Sequence, residues 1–324
     1  MLNTYISHAR GLARTEATGI QRIPDNVVWI DLLEPSIEEE RAVERELGIE
    51  IPSREEMREI ETSNRLYEEN GALFMTTTTA ARLDTARPES TAVTFILAKG
   101  KLITNRYIDT RPFRNFISYA ERHPMACSSS MAIFAGLIEA ITERIADTLE
   151  RVGSDLDAVS GNIFQTDMMA RKNKPDLRGL LERIGFDGEL NSKARESLVS
   201  LARLLVFVQQ SNNIALNDEY RGRFRSIASD AAALSDHSSF LGSKVSFLLE
   251  ATLGLINLEQ NNIIKIFSVA AVMFMPPTLI ASIYGMNFQH MPELRWAWGY
   301  PLALLLMSGS IFGIYLYFKR RGWL

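Results

Sequence analysis

The sequence predicts an α+β domain joined through a long helical stalk to two C-terminal transmembrane helices, and three observations predict it. Charged side chains are absent from Ile266 to Gln289 and again from Trp296 to Phe318, although the 324-residue chain carries 35 basic and 39 acidic residues in all. Strand-like runs stop near Tyr107, and beyond Pro124 apolar residues recur only at helical spacing. The last long helical run begins near Arg223 and meets no proline before Pro276.

In chain order, Val27-Val28-Trp29-Ile30-Asp31-Leu32 reads as a short strand. Ser36 with Glu39 three residues on can cap a helix start reciprocally; that helix is expected to reach Leu47 and stop at Gly48. Ser53 and Glu56 repeat the signal for a second short helix. Leu73 to Ala80 and Thr91 to Ala98 read as strands, the second turning at Lys99-Gly100 into Lys101 to Tyr107. Hairpin spacing between the last two favours a mixed or partly antiparallel sheet. Residues 1–125 are thus expected to form a cytoplasmic α/β domain.

Residues 126–222 are expected to hold two long antiparallel helices. The first runs from Met131 to about Met169, with Ile133, Leu137, Ile141, Ile145, Leu149, Val152 and Leu156 on one face. After the turn Lys172-Asn173-Lys174-Pro175-Asp176, the second runs from Leu177 to about Leu216. The stalk occupies 223–265. A helix continuing from there to Tyr284 covers about 60 residues and spans roughly 90 Å, more than a globular domain needs.

Residues 266–284 and 296–318 are each close to the ~20 residues that cross a hydrocarbon core. A pair of buried core helices is the alternative. Lys265 before the first span and Lys319-Arg320-Arg321 after the second place both termini inside, with 285–295 as an outer loop and 319–324 as a basic cytoplasmic tail. Trp296, Trp298 and Tyr300 stand at one end of the second span, and Tyr315, Tyr317 and Trp323 at the other, where amphipathic rings prefer to lie. Membrane lipid is therefore an expected partner.

The two spans differ in character. The second is greasy, with Gly309 and Gly313 as a small-x-x-x-small pair for helix packing. The first carries Ser268, Ala271, Met275, Thr278 and Ser282 on one side, continued down the stalk by Asn261, Asn257 and Gly254. Such a stripe suits either a water-filled pore or hydrogen bonding between helices. One two-span subunit cannot enclose a pore, so a pore implies an oligomer, first spans inside and second spans outside.

Other classes fit less well. A net charge of -4 gives no support to nucleic-acid binding. Cys127 alone excludes a disulfide framework or a cysteine cluster for zinc. Met1 to Arg10 shows no basic region followed by an apolar run, so no cleavable signal peptide is expected. A Walker loop, a dinucleotide glycine motif and a His-Glu-x-x-His motif are all missing, and no enzymatic activity or organic cofactor is expected.

At the outer end of the first span stands Tyr284-Gly285-Met286-Asn287, followed by Met291-Pro292-Glu293-Leu294 in the loop. With Met275-Pro276-Pro277-Thr278 and Tyr317-Phe318-Lys319-Arg320, these residues resemble the CorA family of magnesium transporters, whose signature is Gly-Met-Asn after the first membrane helix. The resemblance covers the whole architecture and is closest from Phe240 to Leu324. It implies a funnel-shaped homopentameric channel in a bacterial inner membrane, admitting Mg²⁺ and also Co²⁺ and Ni²⁺. Gly285, Met286 and Asn287 would form the selectivity mouth. Thr278, Met275, Ala271, Phe267, Ile264 and Asn261 would line the pore, with Ile264 and Phe267 as its apolar constriction. Cytoplasmic Mg²⁺ would hold the pore closed through carboxylates, with Glu250 favoured over Asp230 and Asp236. Where relatives are often acidic at the tip between the long helices, this chain reads Arg171-Lys172-Asn173-Lys174. A zinc transporter of the related ZntB type is one alternative, against which Met286 argues; a membrane-anchored sensor or scaffold without transport is the other.

Physical chemistry supports the mouth independently. The first span would point its carboxyl end outward, so its partial negative charge faces incoming cations. Gly285 ends a helix at no steric cost, and Asn287 tolerates left-handed backbone. Neutral oxygens suit Mg²⁺, which dehydrates reluctantly and can be held through its waters. Glu293 would raise the local cation concentration, with Arg295 opposing it.

Overall fold

A computed structural model describes residues 1–15, 23–59, 61–164, 176–211, 216–286, 289 and 291–323. The chain divides into two compact units, Met1–Leu249 and Glu250–Leu324.

The first unit is built on a seven-stranded sheet of β1 (Leu2–His8), β2 (Gly11–Thr15), β3 (Val27–Leu33), β4 (Leu66–Glu69), β5 (Ala72–Ala81), β6 (Glu89–Ala98) and β7 (Lys101–Arg106). The spatial order is β2-β1-β3-β7-β6-β5-β4. β3 and β7 run parallel, with Trp29 opposite Leu102, while the other neighbours are antiparallel. Two hairpins close on Asn70-Gly71 and Lys99-Gly100, all four residues at positive φ, the geometry whose twist matches that of paired strands.

Among the described residues the helices are, in chain order, α1 (Ile37–Leu47), α2 (Thr62–Arg65), α3 (Arg111–Ala120), α4 (Ser130–Phe164), α5 (Leu177–Gln210), α6 (Asp218–Tyr284) and α7 (Gly299–Arg320). α1 starts on the Ser36–Glu39 capping box and ends at Gly48 with φ 61°, where its amide reaches the Glu44 carbonyl at 2.7 Å. Its Val43 and Leu47 cover one face of the sheet against Ile30, Leu32, Phe74, Ile96 and Ile103. Alternation along the strands sends Trp29 and Phe95 to the other face, where they meet Phe113 and Phe116 of α3 and Phe134 of α4. β5 is buried along its whole length, which explains how four successive threonines sit inside. Ser200 of α5 accepts from the Thr77 hydroxyl at 3.0 Å and from the Thr78 amide at 2.9 Å.

Under the sheet, Asp31 and Arg106 form a fully buried ion pair across the parallel strands, with contacts of 2.9 and 2.8 Å. The pair is closed in by Thr104, which donates to Asp31 at 2.7 Å, and by Phe113, whose ring lies 4.3 Å from the guanidinium.

Several boundaries differ from the sequence reading. Ser53 and Glu56 do bond reciprocally, at 2.8 and 3.3 Å, but only a 3-10 turn Glu56–Arg58 follows, because Glu59 is already extended. α5 ends at Gln210 rather than Leu216, since Ser211 turns extended. α6 starts at Asp218 rather than Arg223, with the Asn217 side chain accepting from the Tyr220 amide at 2.9 Å. β1, β2, β4, α2 and α3 were not anticipated. The tip Arg171-Lys172-Asn173-Lys174 lies outside the described residues.

The second unit contains the C-terminal part of α6, a 3-10 turn Pro292–Arg295 and α7.

Candidate functional site

α6 has two opposite faces. Phe224, Ile227, Ala231, Ser238, Leu241 and Leu248 are buried in the first unit. Three polar links fix that face: Arg223 with Glu139 on α4, Lys244 with Asp157 on α4 at 2.6 Å, and Ser238 with Asn191 on α5 at 2.9 and 3.0 Å.

On the other side, two interlocking rows repeat every seven residues. One runs through Asp236, Ser243, Glu250, Asn257, Ile264, Ala271 and Thr278 to Gly285. The second runs from Phe240 through Phe247, Gly254, Asn261, Ser268 and Met275 to Ser282. Every one of these residues is exposed. A seven-residue repeat keeps one seam of a helix turned inward when several helices wind around each other with a left-handed twist. Here the seam changes chemistry along its length: acidic and aromatic near Asp236 and Phe247, amide at Asn257 and Asn261, then small, hydroxylated or thioether side chains.

Of the residues picked out from sequence, Asn261, Ile264, Ala271, Met275 and Thr278 fall on these rows, and Phe267 flanks them, 71% exposed. Asp236 and Glu250 share one row, whereas Asp230, also exposed, points from a different face. Sequence reasoning passed over Ser243 and the two phenylalanines. Their signal was the heptad spacing itself, visible once Asp236 is counted in register with Thr278.

Within the apolar stretch, the Thr278 hydroxyl donates back to the Phe274 carbonyl at 2.7 Å, leaving its lone pairs outward. Pro276 and Pro277 continue the helix without N–H groups, so the carbonyls of Val272 and Met273 lose their intrahelical partners. Two carbonyl oxygens are thereby freed within the span.

Past Tyr284 the Gly285 amide reaches the Ala281 carbonyl at 2.9 Å and the Met286 amide reaches that of Ile283 at 3.3 Å. Gly285 is not among the positive-φ residues; its value here is space, since an added Cβ would stand 3.1 Å from the Ala281 oxygen. Gly285 and Met286 are exposed, while Asn287 lies outside the described residues. On α7 only Ala303 is buried. At its end Lys319 and Arg321 each sit 5.7 Å from a tyrosine ring, Tyr315 and Tyr317.

Both helices, α6 and α7, are long and apolar enough to cross a membrane. Little of either apolar stretch is buried within the chain, unlike a helix in the chain's own core. Among the described residues of one chain, no three His, Cys, Asp or Glu side chains are grouped to hold a metal ion.

Comparison with known proteins converges on one family. The profile of the CorA-like Mg2+ transporter protein family matches residues 24–320. The chain is 35% identical over 325 residues to the magnesium transport protein CorA of Escherichia coli strain K12, covering all of both chains. Its fold matches the complete structure of the CorA magnesium transporter from Methanocaldococcus jannaschii, with a TM-score of 0.76 at 18% identity over 100% of this chain and 99% of that one. The ZntB cytoplasmic domain from Vibrio parahaemolyticus shares the fold over 79% of this chain and 97% of its own, with a TM-score of 0.58 at 11% identity.

Proposed function

Since this chain belongs to the CorA-like Mg2+ transporter family and is a membrane-embedded magnesium transporter, we propose that its ions pass along the exposed heptad face of α6, enclosed by five copies of the chain. The observation that carries this reading is the contrast between the two faces. From Phe224 to Leu248 one side of α6 is buried and pinned, while the heptad rows stay exposed and, apart from Phe240, Phe247, Ile264 and Met275, carry polar or small side chains.

In this reading Asn261, Ala271, Met275 and Thr278 line the path, Ile264 and Phe267 narrow it, and Gly285, Met286 and Asn287 form its outer mouth. Uncharged oxygens hold hydrated Mg²⁺ through its waters and release it again. A ring of carboxylates would bind more tightly and release more slowly. Co²⁺ and Ni²⁺, similar in charge and size, would follow the same path. Zinc as the main cargo draws support only from a likeness of fold in a soluble domain.

Basic residues at Lys265 and at Lys319, Arg320 and Arg321 support an orientation with both termini in the cytoplasm of a bacterium and the spans in its inner membrane. Residues 1–125, 126–222 and 223–265 would then be cytoplasmic, and 285–295 external. Glu250 and Asp236 share the ion-path row on the cytoplasmic side, which supports their binding regulatory Mg²⁺ between copies, with Asp230 as a peripheral ligand.

Native mass measurement of the detergent-solubilised protein tests the assembly, and Mg²⁺ uptake into liposomes tests the path. Pentamers that take up Mg²⁺ are expected. Dominant monomers or dimers would refute the enclosure, and wild-type uptake after Ala271→Trp would refute the path along this face.

A further inference from the structure

Away from the ion path, the first unit has a cavity of about 210 Å³ where α3 begins. Four arginines, Arg82, Arg111, Arg114 and Arg144, and two aspartates, Asp84 and Asp109, line it. The carboxylates are already engaged. Asp84 receives Arg111 at 3.0 Å, Arg144 at 2.6 Å and Arg151 at 2.9 Å. Asp109 receives Arg106 at 2.9 Å and Arg114 at 2.6 Å. Burial acts to raise the Asp84 pKa, but hydrogen bonds from Arg144 and Arg151 outweigh it and hold the group below its usual range.

Arg82 is paired with Glu89, and Arg106 is matched by its partner Asp31. Arg111, Arg114 and Arg144 remain on the cavity wall with Asp84 and Asp109. The same three arginines also line an adjoining hollow, together with Glu143 and Asp147. A guanidinium has five N–H donors, so Arg111, Arg114 and Arg144 keep donors to spare after these bonds.

The backbone adds to this field. Thr110 is the N-cap of α3, yet its side chain makes no capping bond, and the first turn has no acidic residue. The positive end of this ten-residue helix has only Asp109 beside it, already engaged by Arg106 and Arg114. Thr110 lines the cavity, is only 5% exposed, and its Oγ1 has no hydrogen-bond partner. A buried hydroxyl without a partner costs stability unless a ligand completes it.

We propose that this cavity binds a phosphate dianion, either inorganic phosphate or the terminal phosphoryl group of a nucleotide. Spare guanidinium N–H groups suit its oxygens in bidentate pairs, and Thr110 supplies a further donor.

The test uses the full-length protein in detergent with EDTA, at constant ionic strength made up with sodium chloride. Inorganic phosphate, ADP and ATP are titrated separately by calorimetry, with melting temperature followed in parallel. Binding of inorganic phosphate assigns the free anion; binding of ADP and ATP alone assigns the nucleotide. Arg111 and Arg114 are 56% and 53% exposed, so the double substitution Arg111→Gln, Arg114→Gln leaves the fold intact and should weaken binding at least tenfold. Thr110→Val, which keeps the shape, should weaken it severalfold. Mg²⁺ uptake by both variants without added phosphate should match wild type. No binding of any of the three ligands above chloride would overturn the proposal, as would equal binding by wild type and the double variant.

Discussion

Asp187 on α5 carries a charge that the fold resists. Its side chain is 3% exposed, and its Oδ2 has no hydrogen-bond partner. Burial, reinforced by the negative charge of Asp155, pushes its pKa from 3.8 up to about 6 against the pull of Arg183 and Arg151. Neither arginine is free to neutralise it, since Arg183 reaches toward Asp155 at 4.0 Å and Arg151 is bound to Asp84 and the Leu83 carbonyl. A carboxyl whose folded pKa lies above its unfolded one stabilises the fold when protonated. That contribution is complete below the unfolded value and is lost as pH rises through the folded one. The whole effect is about 3 kcal/mol, of which about 1.4 kcal/mol disappears between pH 5 and pH 8. Asp187→Asn removes the titration. Its amide lacks a partner and lowers stability by about 1–3 kcal/mol at every pH, so the informative quantity is the change across pH. Urea unfolding followed by circular dichroism, at pH 5, 6, 7 and 8, should show wild type losing ground to the variant by about 1.4 kcal/mol over that range. Parallel pH profiles would mean that Asp187 titrates normally and that α5 lets water reach it.

Asp31→Asn leaves Arg106 charged and buried without its partner and should cost about 3–5 kcal/mol, read as a fall in the urea midpoint of the solubilised protein. Millimolar Mg²⁺ should slow proteolysis of the wild type by favouring the closed state, and Glu250→Ala should abolish part of that protection; unchanged protection would remove Glu250 as a sensor. Asn287→Ala should assemble normally and lose most Mg²⁺ uptake in liposomes. Asn287→Asp should also assemble, but bind Mg²⁺ more tightly and release it more slowly; wild-type uptake by the alanine variant would reduce the motif to a helix stop.

Local signals in the sequence were the ones that could be read. The Ser36–Glu39 box, Gly48 and the Lys99-Gly100 hairpin each depend on a few neighbouring residues, and each stands in the structure where the residues put it. β1 was invisible because Asn3, Thr4 and Ser7 give it a polar appearance. It becomes a strand by pairing with β2 on one side and β3 on the other, and it buries Asn3 and Thr4 only through that placement. α3 escaped notice because Phe113 and Phe116 make too short an apolar repeat to outweigh the charged residues around them; Trp29 and Phe95, distant in sequence, give them their partners. The apolar spans were plain, being long and free of charge. The phase of α6 was only half legible, since which side is exposed depends on where α4 and α5 cover it.

The exposed seam of α6 also has a consequence for inheritance. A wall that each copy supplies in part is only as good as its worst contributor. In a ring of the proposed five, a cell making equal amounts of intact chain and of a chain with a blocked seam would assemble only about one ring in thirty from intact copies alone. Substitutions at Ala271 or Asn287 that spare folding should therefore be dominant. Core substitutions severe enough to stop the chain folding should be recessive, because chains that do not fold never enter the ring.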